Sequence, residues 1–332
     1  TNTTGASNTA IGKNALRANT TASNNTAVGY SAGTAVTTGE RNTVVGSLAG
    51  DALTDADDNV AIGQTALGLD TLGSKSVAVG RAALAAQNFT SATDSYNTAV
   101  GFQAGEAVTT GQYNTLIGGL AGDAQTTADH NVALGVSTLT TNTKANKNVA
   151  IGSNALSIFN VTSDTDTYNT AVGYGAGATV TTGLSNTLIG GLAGDAITTG
   201  SNNVGLGRSA LTANTTASDN TAVGMASLAA NTTGANNTAV GRDALTLNTT
   251  GTQNVALGSI SLDANTTGSE NTAVGYGSLS ANTTAAGNTA MGWYSMFATT
   301  TGYANVAVGL SALGAQTTGY ENVALGHQAL DA

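Results

Sequence analysis

The sequence predicts an all-β fold: a parallel β-solenoid of 19 coils, mostly 17 residues each, spanning residues 1–332 as a single rod. Three observations lead there. A line close to Asn-Thr-Ala-Val-Gly-x-x-Ala-Leu-x-Ala-Asn-Thr-Thr-Gly-x-x recurs from end to end, and a fixed period of this size marks a stacked repeat. Gly and small aliphatic residues hold fixed places in that line. The chain contains no Pro, which would remove ladder hydrogen bonds from a continuous sheet.

The line opens on Asn8, Asn25, Asn42, Asn59 and so on to Asn322, with Ser76 the one departure. Sixteen of the 18 spacings are 17 residues; those from 76 to 97 and from 148 to 169 are 21. With the Asn as position zero, +4 is Gly in all 19 copies (Gly12, Gly29, Gly46 and onward) and +3 is always aliphatic or Met. Position +2 is Ala in 15 copies. A short strand over +1 to +3, a Gly turn and a second strand over about +7 to +10 fit this pattern, with Asn-Thr-Thr-Gly closing the coil. Gly in every line and the Thr/Val enrichment oppose a helix.

Side chains alternate along a strand, so +2 and +3 point to opposite faces. The reading places +3 inside the coil. The +2 column (Ala10, Ala27, Val44, Ala61, Leu116, Leu188) then faces outward, and a long apolar column exposed to water points to cover by other chains. The plainer reading is that Ala is small enough to stay exposed. Position +8 is Leu or Met in 13 copies and Gly in six; in five of those six, +11 becomes aliphatic (Val36, Leu53, Val108, Val180, Ile197). A missing Leu leaves a cavity, and the new side chain is expected to fill it. Gln125 is the exception. The Asn column is expected to form an amide ladder, each copy bonding the next.

The Gly-bearing pairs recur every 72 residues, so 25–96 and 97–168 form higher-order repeats and a third begins at 169. The insertions near 87–96 and 157–168 bring Phe89, Tyr96, Phe159 and Tyr168, the candidate contact loops. Trp293 and Tyr294, next to Phe297, form the densest aromatic group. Exposed aromatics anchor protein partners or stack on sugars, and stacking between adjacent coils is the plainer reading.

Chemistry is sparse. Two His and no Cys leave no metal-ligand or catalytic constellation, and no Gly-rich string continues into Lys-Ser/Thr. The chain is therefore read as a non-enzyme without cofactor. Asp55, Asp57 and Asp58 are the weak candidates for a structural cation, against the simpler role of a solvated corner. Charged residues make up 8% and the net charge is −10, which argues against nucleic-acid partners. No apolar run approaches a membrane span. The ends fall inside the pattern, so the chain is read as a segment of a longer protein.

The Asn-Thr-Ala-Val-Gly-x-x-Ala-Leu unit resembles the head repeats of trimeric autotransporter adhesins, which read Asn-Ser-Val-Ala-Ile-Gly. It is still more similar to the Asn-Thr-Thr-Gly repeats of phage and bacterial tail-fibre-like proteins. The adhesin coil is shorter, so each coil here carries a longer second half. The resemblance covers the whole chain. It implies a left-handed β-roll, a homotrimer, an extracellular, cell-surface or virion-tail location, and attachment to host-surface glycan or protein. Two other readings are a self-assembling extracellular filament and, through the Thr column, ice binding.

Overall fold

The computed structural model describes residues 2–331. It is an all-β parallel solenoid of about nineteen turns, with no helix among the described residues. The chain forms two compact units, one ending at Tyr168 and one starting at Asn169. The first holds the three-residue strands from Thr9–Ile11 to Val149–Ile151, and the second those from Thr170–Val172 to Val323–Leu325. Within each unit successive strands pair in parallel with no register slip: Thr26, Ala27 and Val28 lie against Thr43, Val44 and Val45.

Most turns have one strand, not the two expected; the exceptions are four two-residue strands beside the insertions. The segment after the Gly is a run of turns. In it, position +6 and position +8 are both left-handed, as at Asn14 (φ 63°) and Leu16 (φ 48°), or Ser31 (φ 55°) and Gly33 (φ 57°). That conformation costs a non-glycine residue on the order of 1 kcal/mol. The stack holds it in place: Ser31 N–H donates to the Lys13 carbonyl below, while Leu16 N–H donates to Ala32 above. At +4 only Gly fits, because Gly46 has φ 137° and a Cβ there would lie 2.6 Å from the Gly63 carbonyl oxygen.

The facing of the strand is the reverse of the expectation. Ala27, Val44, Ala61, Leu116 and Leu188 are fully buried in their own coils and form no chain interface. Ala10 is exposed in the first turn but occupies the same place in the line. The +3 side chains, from Ile11 to Leu325, lie outside. The cause is the Asn at zero, which is buried; strand alternation then carries +2 inward and +1 and +3 outward.

The amide ladder forms, with a different bonding scheme from simple amide-to-amide contact. Asn25 Nδ2 donates to the Gly39 carbonyl across its own coil at 2.8 Å. Its Oδ1 accepts the backbone N–H of Asn42 in the next coil at 2.8 Å. At Ser76 the amide is missing, and the insertion supplies a replacement. Gln87 Nε2 donates to Ser76 Oγ at 2.8 Å, and Gln87 Oε1 accepts from Asn97 at 2.9 Å. In the second unit a further buried ladder runs at +11, where Asn248 donates to Asn231 and Asn265 to Asn248, each at 2.8 Å.

The exchange between +8 and +11 occurs as expected. Val36, Leu53, Val108, Val180 and Ile197 are all buried, and a Cβ on Gly50 would sit 2.8 Å from a Leu53 methyl. The same Cβ would meet Val44 at 2.8 Å, so the enlarged +2 side chains fill the same space. Gln125 lacks this fit: it is fully buried and neither its amide nitrogen nor its carbonyl oxygen has a partner. Gln125→Val, which copies Val108 and Val180, is expected to stabilise the fold by about 1–3 kcal/mol, since the orphaned amide carries that desolvation penalty. Chemical denaturation of the variant beside the parent measures it.

Candidate attachment surface

Several side chains proposed for contact stay outside, and others do not. Phe89 and Phe159 are buried plugs of the insertions, and so are not contact residues. The inserted segment folds inward because it must replace the core side chains of a widened coil. Its outer edge forms a short extra ladder, Gly73–Ser74 with Thr93–Asp94 in one insertion and Ala145–Asn146 with Thr165–Asp166 in the other. Tyr96 and Tyr168 remain exposed. Each lies beneath a lysine: Lys75 is 5.2 Å from the Tyr96 ring centroid and Lys147 is 5.4 Å from that of Tyr168. The same lysines pair with Asp94 and Asp166. The two insertions therefore repeat one Asp-Lys-Tyr cluster.

In the first unit, Tyr96, Tyr113 and His130 stack in one column at 5.7 and 4.8 Å between centroids. Their faces meet each other, so they offer mainly edges to a partner. The second unit differs. Tyr294 meets Trp293 at a 44° tilt and Phe297 edge-on at 70°, and Tyr276 lies 6.5 Å from Trp293. Tyr276 stacks on Trp293 at 29°, and Trp293 and Phe297 are exposed. Tyr303 and Tyr320 stack nearly parallel on another edge of that unit.

The widest apolar feature is the outer face of the strands. In the second unit Leu206, Val240, Leu257 and Met291 are all exposed, between outward Thr or Val at +1. The outward facing of this column runs against the expectation, which assigned parity from hydrophobicity. The buried Asn, three residues earlier and immediately before the strand, carried the opposite signal.

The acidic candidates are engaged within the protein. Thr38 Oγ1 donates to Asp55, the backbone N–H of Glu40 donates to Asp57 at 2.7 Å, and Arg41 holds Asp58 at 2.6 Å. They do not form a cation cage, and among the described residues no group of three or more His, Cys, Asp or Glu could hold a metal ion. The Thr column at +12 is engaged too: Thr54 Oγ1 donates to the Thr71 carbonyl and Thr249 Oγ1 to that of Thr266, each at 3.0 Å. Among the described residues no helix is long and apolar enough to cross a membrane. No family model matches the chain, and no curated protein matches it either.

Burial pushes the carboxyls of Asp51, Asp123, Asp129 and Asp263 above the ordinary range. Hydrogen bonds from Arg41 and Lys147 pull Asp58 and Asp166 below it. The first four bind protons more tightly when folded, so their contribution favours folding at low pH and is lost as pH rises through the raised values. Asp58 and Asp166 act in the opposite sense, and only below the ordinary carboxylate range. Thermal stability is therefore expected to rise as pH falls through the raised values toward the ordinary carboxylate range at pH ~4, and to drop below it. Calorimetry from neutral pH downward checks it; a Tm that falls all the way down to pH ~4 would contradict the assignment.

Proposed function

We propose that this chain is an attachment segment of a homotrimeric fibre, a phage tail fibre or bacterial surface adhesin, that joins its copies through the outer strand face. The observation that carries the reading is the exposed aliphatic column at +3. Soluble monomers rarely expose a contiguous apolar strip of this kind, and parallel strands are normally covered on both faces. At about 4.8 Å per turn and about 10 Å across, each unit offers on the order of 500 Å².

Stiffness comes from the ladders, and function in such a fibre lies on its corners. The crossed rings of Trp293, Tyr294 and Phe297 are the best-presented anchor for a host-surface glycan or protein, because they form the densest aromatic group and Trp293 and Phe297 are exposed. Tyr96 and Tyr168, each capped by a lysine, are the secondary candidates. The location that suits this role is extracellular, on a cell surface or virion tail.

Native mass determination is expected to give a trimer. Leu206→Glu combined with Leu257→Glu is expected to give a monomer with unchanged circular dichroism, because both side chains point away from the core. A parent chain that is folded and monomeric would overturn the interface. Attachment is tested separately with a glycan array and host cells: Trp293→Ala with Tyr294→Ala is expected to abolish binding while the trimer persists. Binding that survives the pair would make this part of the chain a spacer.

A further inference from the structure

The first unit carries a groove of about 400 Å³ on the corner after its turns, and its chemistry is unlike that of the other corners. Position +9 of four successive turns reads Asp51, Gly68, Ala85 and Glu106. The strands preceding them pair one after another, so these residues stand in a line. Leu48, Leu69 and Ala86 flank that line. The groove thus has a carboxylate at each end, small residues between, and aliphatic sides. No Lys or Arg lines it, and neither Asp51 nor Glu106 is in an ion pair.

The repeat itself supplies the comparison that makes the groove informative. At two other aspartates in position +9 the next turn provides a hydroxyl: Thr212 donates to Asp195 at 2.5 Å and Ser280 to Asp263 at 2.6 Å, whereas Thr140 after Asp123 donates to the Ser157 carbonyl instead. After Asp51 that position is Gly68, and no side chain donates to the Asp51 carboxyl. Glu106 accepts one bond, from Gln103, on one of its oxygens. In the following 72-residue repeat the corresponding positions are Asp123, Thr140, Ser157 and Ala178, so hydroxyls fill the middle and the second carboxylate is lost. The groove is a departure from the repeat, and it leaves two carboxylates along an apolar channel with no side-chain donor from a neighbouring turn.

We propose that this groove binds an aliphatic polyamine lying along the solenoid, with an ammonium group at Asp51 and another at Glu106. Three turn spacings separate the two backbones by roughly 14 Å. Less the inward reach of both side chains, that is the span of an extended triamine such as spermidine. The methylene chain packs on Gly68, Ala85, Leu48 and Leu69, and the charge-assisted hydrogen bonds replace the missing hydroxyl. A lone alkylammonium satisfies one end, and a hydrated divalent cation gains nothing from the aliphatic sides. The proposal stands apart from the attachment reading, since it needs neither a trimer nor a host surface.

Isothermal titration of the whole chain with spermidine, putrescine, butylamine and magnesium, at physiological salt, tests it. One spermidine per chain is expected, with butylamine at least about tenfold weaker for want of the second charged bond. Gly68→Thr is the decisive variant. It copies Thr212, which donates to Asp195; a Cβ at this position would lie 3.6 Å from Asp51 and 3.2 Å from the Thr65 carbonyl oxygen, a close contact that a shift of a few tenths of an ångström relieves. It is expected to abolish binding with unchanged circular dichroism, and Glu106→Gln to reduce spermidine to the affinity of butylamine. Spermidine affinity unaltered by Gly68→Thr, magnesium binding as tight as spermidine, or no spermidine binding at all would overturn the proposal.

Discussion

The rest of this structure depends on a buried side-chain amide at the start of each turn. Asn25, Asn42 and their copies each close their own coil through a carbonyl at +14 and accept the N–H of the next Asn. In a dry interior such bonds are costly to leave unmade, so the Asn fixes which way the strand faces. With zero inside, +2 must be inside, and +3 must be outside whatever its hydrophobicity. The coil is inverted relative to an ordinary strand, with a polar ladder in the core and aliphatics on the surface.

That inversion also explains the volume covariation. The turns with Gly50, Gly122 and Gly194 at +8 are the ones that carry Val44, Leu116 and Leu188 at +2, and methyls of those side chains lie within 2.8 Å of where each glycine's Cβ would be. Position +2 and position +8 therefore share one space. Stacked turns are closely packed, and close-packed interiors respond to single methylenes. Asp70 is the other extreme, a buried carboxyl with no cation beside it, held by Gln87 at 2.6 Å and by the N–H groups of Gly73 and Phe89. The insertion after it exists as a unit with that network, which is why Phe89 points inward.

The fold class, the period, the parallel register and the exchange between Gly50 and Leu53 were legible in the sequence, because each is a consequence of spacing. The direction of the strand was legible as well, in two signals that hydrophobicity outweighed: the parity of the invariant Asn, and the pairing of Val44, Leu116 and Leu188 with the +8 glycines. The missing second strand was not legible. Left-handed backbone at Leu16, Leu67 or Tyr96 leaves no mark in residue type, because hydrogen bonds from neighbouring turns hold it against its own preference. For the candidate surface, Tyr96, Tyr168, Trp293 and Tyr294 could be found from composition alone. Phe89 and Phe159 could not be separated from them, since the sequence does not say whether an inserted aromatic fills a widened coil or leaves it.

A repeat with each turn bonded only to its neighbours has stability that is close to a sum over turns and their contacts. Departures from the repeat are then tolerated where they are local, and they concentrate where something other than stacking is served. The stacked Tyr303 and Tyr320 continue the ladder logic on the surface and add only contact between turns. Trp293 keeps only a looser stack on Tyr276, at 29°, while Tyr294 breaks the pattern by meeting Tyr276 edge-on at 73°, and Gly68 breaks it by offering Asp51 no hydroxyl. In a chain with so regular a line, the positions that forgo the neighbour's bond are those where a partner from outside has room to supply it.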